Sequence, residues 1–562
     1  MKMVKSLLLG SAAGLVAVSA GRAADLPVKA KPVEYVKVCS LYGAGFYYMP
    51  GSDICIKIGG FVRTEANIHA AGSFAPFVGN SNAFQFRAED NFVARSRAAI
   101  TVDAREQTSW GTLRGYIAAG WQFSTDDPPT VSLPSVTATG TTARAGFGVT
   151  STFSGFLGNN SSVYMLRAFI QLGGWTFGKT ASFYDFFNTS KYTLQTNFLY
   201  QDFAGFGVNT WGYTQQLGNG VAVTLALQDP SPYEKPLVDV NPPGAFATSG
   251  TTTANVFAIN AAASNNNNNA GTLVPDIVAS IRVDQAWGGA QIAGIAHDNR
   301  ATYFSNTFNG IISGSDHPSD KWGWAGMAGL ELNIPYFAKG DSFAIQGQYC
   351  VGAVMDCSNN SGTRLADVGW SLINVNKIGL GWEDDAYFGS LTTTKFIQVD
   401  GEKVTVPQHA LGATGLQLTT SWNVIAAFQH YWMPEVRTSL YGGYLNYKAN
   451  SSAVDQEVCQ ALNSGTFFAN NATRIALVNG TQVANSGCTD WAAWMIGSRT
   501  LWNPTKNLDV GVDVLYTALT KTAFDGAQFA FAPGGGAATQ TLTVADTHIW
   551  AGIARVQYNF LP

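Results

Sequence analysis

Along much of the chain, apolar and polar residues alternate with a period of two, the period of a strand and not of a helix. In NLDVGVDVLYT, Leu508, Val510, Val512, Val514 and Tyr516 fall on one face, and Asp509, Gly511, Asp513 and Thr517 on the other. In LQLTTSWNVIAAFQ, Leu416, Leu418, Trp422, Val424, Ala426 and Phe428 oppose Gln417, Thr419, Ser421, Asn423 and Gln429. Near the start, Lys57, Arg63, Glu65 and Asn67 share the parity opposite to Ile56, Ile58, Val62 and Ile68. The pattern predicts strands near 54–70, 92–104, 109–123, 162–173, 175–180, 206–216, 220–229, 276–287, 288–298, 320–333, 341–353, 416–431, 435–449, 489–502, 506–518 and 546–560.

The connections between these strands alternate in length. Short ones fall around 103–110, 173–175, 217–220, 287–289, 334–340, 433–435 and 503–506, and long polar segments, including SNNNNNAG at 264–271, fill the other gaps. Tight turns on one side and long loops on the other are the habit of an outer-membrane barrel. The expected fold is therefore all-β, a transmembrane antiparallel β-barrel of sixteen strands. That even number puts both termini on the short-turn side and leaves an aqueous lumen, because only narrow barrels fill with their own side chains. No separate plug domain is evident, and residues 54–562 are assigned to the barrel.

Composition agrees with this reading. Charged residues are only 12% of the 562, against about 25% in soluble domains, while aromatics are also 12% and glycines number 60. A soluble sandwich alternates too, but it carries more charge outside. The net charge of −4 argues against a nucleic-acid surface. At the N-terminus, Lys2 and Lys5 precede the apolar run Leu7 to Ala20, and Gly21-Arg22-Ala23 offers small residues at a cleavage site. Residues 1–23 read as a secretory signal peptide and 24–53 as a periplasm-side segment before the barrel.

Enzyme signals are thin. GGWTFGKT, Gly173 to Thr180, fits the phosphate-cradling pattern G-x-x-x-x-G-K-[ST], but that loop needs small residues opening onto a helix. Here Trp175 and Phe177 intervene and ASFYDFF follows, so the stretch reads as a tight turn entering a short strand. His69, His297, His317, His409, His430 and His548 have no metal-ligand spacing. No metal and no cofactor is expected, and no catalytic residue is assigned. In an exported chain the six cysteines favour disulfides over zinc or redox chemistry. Fifteen connectivities are open. Neighbour pairing gives Cys39–Cys55, Cys350–Cys357 and Cys459–Cys488, and a crossed arrangement stays open beside it.

Three blocks carry a family likeness: CSLYGAGFYYMPGSDICIKIGGFVR after an ADLP mature start, FVARSRAAITVDAREQTSWGTLRGYI, and RAFIQLGGWTFGKTASFYDFF. With them the chain resembles the general porins of Rhizobiales-type alphaproteobacteria. The resemblance implies a homotrimer in the outer membrane of a Gram-negative bacterium, in contact with its lipid and lipopolysaccharide. Small hydrophilic solutes and ions would diffuse passively through a water-filled channel. It also implies that the third loop, about 181–206, folds inward as a constriction, contributing Asp185 and Asp202. Facing that loop, Arg63, Arg95, Arg97, Arg114 and Arg167 have apolar sequence neighbours. An arginine on the lipid face costs about 2–4 kcal/mol near the midplane, so these should point inward. Lys57, Glu65 and Asn67 are expected to line the lumen, and the excess of arginines predicts a mild anion preference. A substrate-specific channel for a sugar or an anion, a barrel hydrolase, or a secreted adhesin are the rival readings.

Overall fold

The computed structural model describes residues 38–69, 74, 91–125, 161–187, 189–195, 199, 207–231, 233–240, 268–302, 307–308, 311–312, 317–358, 370–374, 377–381, 383–390, 394–399, 402–407, 413–463, 475–477, 482–531 and 540–560. The expected signal peptide 1–23, the first part of the 24–53 segment, Asp202, His409 and most of the asparagine run lie outside the described residues.

The chain divides into two compact units, the first ending at Ile56 and the second running from Lys57. In the first, Tyr47–Tyr48 pairs antiparallel with Cys55 and Ile56. A Cys39–Cys55 disulfide closes the hairpin. Cys39, Phe46 and Cys55 form its small core, with Tyr42 and Tyr48 packed against it.

The second unit is a closed antiparallel barrel of sixteen strands. They are β1 Cys55–Ile68, β2 Phe92–Thr108, β3 Gly111–Ser124, β4 Ser161–Leu172, β5 Trp175–Thr180, β6 Val208–Gly218, β7 Val221–Gln228, β8 Asp276–Gln285, β9 Gly288–Asn299, β10 Lys321–Asn333, β11 Ser342–Val351, β12 Thr420–Met433, β13 Val436–Lys448, β14 Trp491–Thr505, β15 Leu508–Lys521 and β16 Thr547–Phe560. Each strand pairs with its sequence neighbours. Closure comes from β1 against β16, in a register running from Gly60↔Phe560 to Ile68↔Gly552. All sixteen predicted strands are present. The first short connection is tighter than expected: β2 continues through Thr108, leaving only Ser109 and Trp110 as the turn, because Arg105 and Glu106 still pair with Arg114 and Leu113.

Alternation becomes two environments. On β15, Val512 and Val514 are about half exposed, whereas Asp513 between them is buried. The outward face carries aromatics near both strand ends, such as Trp422 and Trp432 on β12. Ten residues at roughly 3.3 Å each, tilted by about 45°, separate two such belts by about 23 Å, close to the height of an outer-membrane apolar band. Among the described residues no helix is long and apolar enough to cross a membrane.

GGWTFGKT is a turn and a strand. Gly173 sits at φ 57°, and Lys179 Nζ donates to the Met165 carbonyl at 3.0 Å, beside a bulge in β4. The long loops have sheets of their own. Leu237–Asp239, Ala386–Ser390 and Ala413–Leu418 form one. Five short strands drawn from the last three long loops form another. Cys350–Cys357 ties β11 to the loop that follows it, and Cys459–Cys488 closes within the 449–490 loop. The neighbour pairing of cysteines is the one present.

Candidate pore constriction

The third long loop, between β5 and β6, lies against the inward faces of the barrel strands. Tyr184, Phe187, Tyr192, Leu194 and Leu199 on it are buried. Its polar contacts follow the wall strand by strand. Ser182 Oγ donates to Gln228 Oε1 at 2.9 Å, and Gln291 Nε2 donates to the carbonyls of Phe183, Tyr184 and Asp185. The Phe187 amide donates to Gln346 Oε1 at 2.9 Å, Lys191 pairs with Glu331, and Arg499 Nη1 donates to the Ser190 carbonyl at 3.3 Å. Further on, Asp513 Oδ2 accepts from Thr193 Oγ1 at 2.7 Å and from the Leu194 amide at 2.6 Å, while its Oδ1 accepts from Tyr441 Oη at 2.8 Å. Arg555 Nη2 donates to the Leu194 carbonyl at 2.9 Å.

The wall is shaped for this loop. A Cβ on inward-facing Gly329 would stand 2.2 Å from Phe186 Cδ1, and one on Gly443 would stand 2.2 Å from Leu199 Cδ1. Only a residue without a side chain lets the loop approach so closely. Leu194 closes the far end, packing with Phe74, Val93, Leu501 and Ile553.

Where that loop meets β1, β2 and β16, four guanidiniums surround one carboxylate. Glu65 Oε1 accepts from Arg555 Nε at 2.6 Å, and its Oε2 accepts from Arg95 Nε at 2.8 Å. Arg63 Nη1 lies 3.7 Å away as an ion pair. Arg63 Nε donates instead to Gln557 Oε1 at 2.6 Å, and Arg97 Nε to Gln122 Oε1 at 2.9 Å. Burial of a charge is tolerated only with partners, and Glu65, whose side chain is fully enclosed, has three. One carboxylate against four guanidiniums leaves three positive charges uncompensated within this group. Aromatic faces carry part of that load. Arg95 Cζ sits 3.9 Å from the Phe74 ring centroid and Arg63 Cζ 4.6 Å from that of Phe61.

The other expected site residues lie elsewhere on the inner wall. Arg114 joins Arg105 on Asp103, its Nη2 2.9 Å from Asp103 Oδ2, six residues or roughly 20 Å along β2 from Arg97 toward the short turns. Arg167 pairs with Ala118 at the β4 bulge and donates to the Leu166 carbonyl at 2.8 Å, close to Gly207 at the end of the third loop. Asp185 lies near the start of that loop, its carbonyl held by Gln291. Lys57 is six residues before Arg63 on β1, and Asn67 is buried beyond Glu65. Arg555, Arg499, Lys191 and Glu331 were not among the expected residues. Parity alone marks Arg555 as inward, because Val556 and Tyr558 beside it are exposed. Its contact with Glu65, 490 residues away, has no local signal.

A family model described as the porin subfamily matches residues 25–553 of the chain. Porin Omp2b of Brucella suis is 29% identical over 235 residues, covering 40% of this chain and 52% of that protein. Porin Omp2b of Brucella melitensis biotype 1 is 27% identical over 355 residues, covering 58% of this chain and 80% of that protein. Among solved structures, the outer membrane channel DcaP of Acinetobacter baumannii aligns with a TM-score of 0.49 at 13% identity, over 91% of this chain and 99% of that one. An anion-selective porin from Comamonas acidovorans aligns with a TM-score of 0.39 at 9% identity, over 90% and 100%.

Proposed function

We propose, from the premise that this chain belongs to the porin family and is an outer-membrane porin, that it conducts small hydrophilic solutes passively with a preference for anions. The observation that carries the preference is the group of Arg63, Arg95, Arg97 and Arg555 around the single acid Glu65. Fixed charge at a narrowing sets ion preference, while its width sets the size cutoff. Arg63, Arg95 and Arg97 form the basic side of the constriction in this reading, with Asp185 and Asp202 on the third loop. Arg114, Arg167 and Lys57 extend the basic wall toward the short turns, and Glu65 and Asn67 line it. No chemical step is needed, since diffusion down a gradient requires no catalyst. A reversal potential in a salt-gradient bilayer should report anion selectivity, and clear cation selectivity would refute it.

We propose further that the working unit is a homotrimer, with lipid and lipopolysaccharide around the rest of its outward face. The support is the middle of the outward face of β1 and β2, where Val62, Thr64, Ala66, Ala94, Ser96 and Ala98 form a patch free of aromatics between the exposed Phe92 and Ile100. Small residues allow close approach of a second chain. Conductance steps in threes and a heat-sensitive trimer band in electrophoresis test this. Residues 1–23 serve as the export signal and 24–53 as a periplasm-side segment in the same reading.

A further inference from the structure

The basic group resolves into two rows across neighbouring strands. The β1–β16 register sets Glu65 opposite Arg555 and Arg63 opposite Gln557. The β2–β3 register sets Arg95 opposite Ser124 and Arg97 opposite Gln122. Glu65 is bonded to Arg95 across the antiparallel β1–β2 pair. Stepping two residues back along β1 and two forward along β2 therefore brings Arg63 beside Arg97. One row reads Arg555–Glu65–Arg95. The other reads Gln557–Arg63–Arg97–Gln122.

In the first row Glu65 bonds both arginines. The second contains no acid. Both of its arginines spend Nε on a glutamine carbonyl, and Gln557 is itself oriented by its Nε2 donating to Asn559 Oδ1 at 2.6 Å. The terminal nitrogens of Arg97 donate to no described group, and Arg63 has only the 3.7 Å ion pair. The Tyr164 hydroxyl on β4 is buried without a hydrogen-bond partner among the described residues, and the Tyr164 ring centroid lies 5.7 Å from Arg97 Cζ. Like charges directly opposite on a sheet are unfavourable, so this row is held in place while wanting a counter-charge. Its two guanidiniums offer donors only, and the glutamine carbonyls beside them are already engaged by the arginine Nε groups. A sugar hydroxyl, which needs acceptors as well, fits it poorly. A compact oxyanion has several acceptor oxygens and matches two planar forks whose Nε ends are fixed.

We infer that Arg63, Arg97 and the Tyr164 hydroxyl form a seat for a small divalent oxyanion, free phosphate or the phosphate group of a small solute, so that such anions cross by a saturable step. The inference rests on the porin reading above. In planar bilayers in potassium chloride, added inorganic phosphate should reduce the chloride current in a saturating manner. The double variant Arg63→Gln, Arg97→Gln should raise the half-saturating phosphate concentration at least tenfold, and Arg97→Lys should give an intermediate value. If the double variant does not fold, broadening of the phosphorus resonance of inorganic phosphate by the detergent-solubilised native protein decides the matter. Adenosine monophosphate in place of phosphate separates the two sources, because competition with chloride by phosphate alone assigns the seat to the free ion. Chloride current unaffected by phosphate, no broadening, or block retained in the double variant would each overturn the seat and leave the pore intact. Absence of any channel steps would overturn the pore reading itself.

Discussion

Replacing Asp513 with alanine removes the carboxylate that fastens the tip of the third loop to the wall. Its Oδ2 takes two loop donors, Thr193 Oγ1 at 2.7 Å and the Leu194 amide at 2.6 Å. A hydrogen bond to a charged acceptor contributes about 1.5–3 kcal/mol net. Two of them total at least about 3 kcal/mol, and at about 1.4 kcal/mol per factor of ten local opening of the tip should become roughly a hundredfold more frequent. Asp513→Asn keeps one carbonyl acceptor and should show roughly a tenfold effect. Hydrogen exchange at the Leu194 amide reads this directly, and single-channel recordings should show added current noise. The Phe187 amide is a built-in control, because Gln346 and not Asp513 holds it. Unchanged exchange at Leu194 in Asp513→Ala would refute the reasoning, as would equal loss of protection at Phe187.

Three further outcomes follow from the same contacts. Gly329→Val places atoms inside the Phe186 ring position. Overpacking of this kind costs about 1–3 kcal/mol, so the Phe187 amide should lose protection while the barrel stays folded, and full protection would contradict it. Glu65→Gln leaves the surrounding guanidiniums without their acid. It should lower stability by about 3–5 kcal/mol and move the reversal potential further toward anion selectivity, and a move toward cations would count against the charge assignment. The long loops should respond to pH. Burial pushes the Asp356 carboxyl well above its ordinary range, with Asp276 nearby adding to the shift and His297 opposing it; Asp385 and Asp185 also face it. Burial likewise raises Asp385 and Glu383, against the pull of His297 and Lys235 respectively. Packed loops therefore bind more protons than opened ones. Their stability is greatest below the ordinary carboxylate pKa of about 4 and is lost as pH rises through the raised values. Exchange protection around 352–358 and 383–388 should be higher near about pH 5 than near about pH 8, with Asp356→Asn flattening the difference, and loosening on acidification would reverse the sign and refute the account.

The barrel was legible in the sequence because its determinant is local. A residue's parity decides whether it meets lipid or lumen, and the placing of Val512 against Asp513 or Val62 against Arg63 needs nothing beyond neighbours. The alternation of tight turns with long segments is local as well, so strand number and order are legible in the chain alone. Cysteine pairing by proximity worked for a related reason, since each partner lies within one turn or loop of the other. The first turn was misjudged only because Arg105 and Glu106 are polar yet still paired.

What parity could not supply was company. It marked Asp513 and Arg555 as inward, but their partners, Leu194 and Glu65, come from distant segments joined by the third loop's path and by closure of β1 on β16. The glycines at 329 and 443 looked like ordinary sheet residues until Phe186 and Leu199 stood over them. The small sheets joining the long loops are likewise non-local. One dimension determined which face each side chain takes. Which charges meet across the lumen was decided only when the sheet closed and the loop folded inside it.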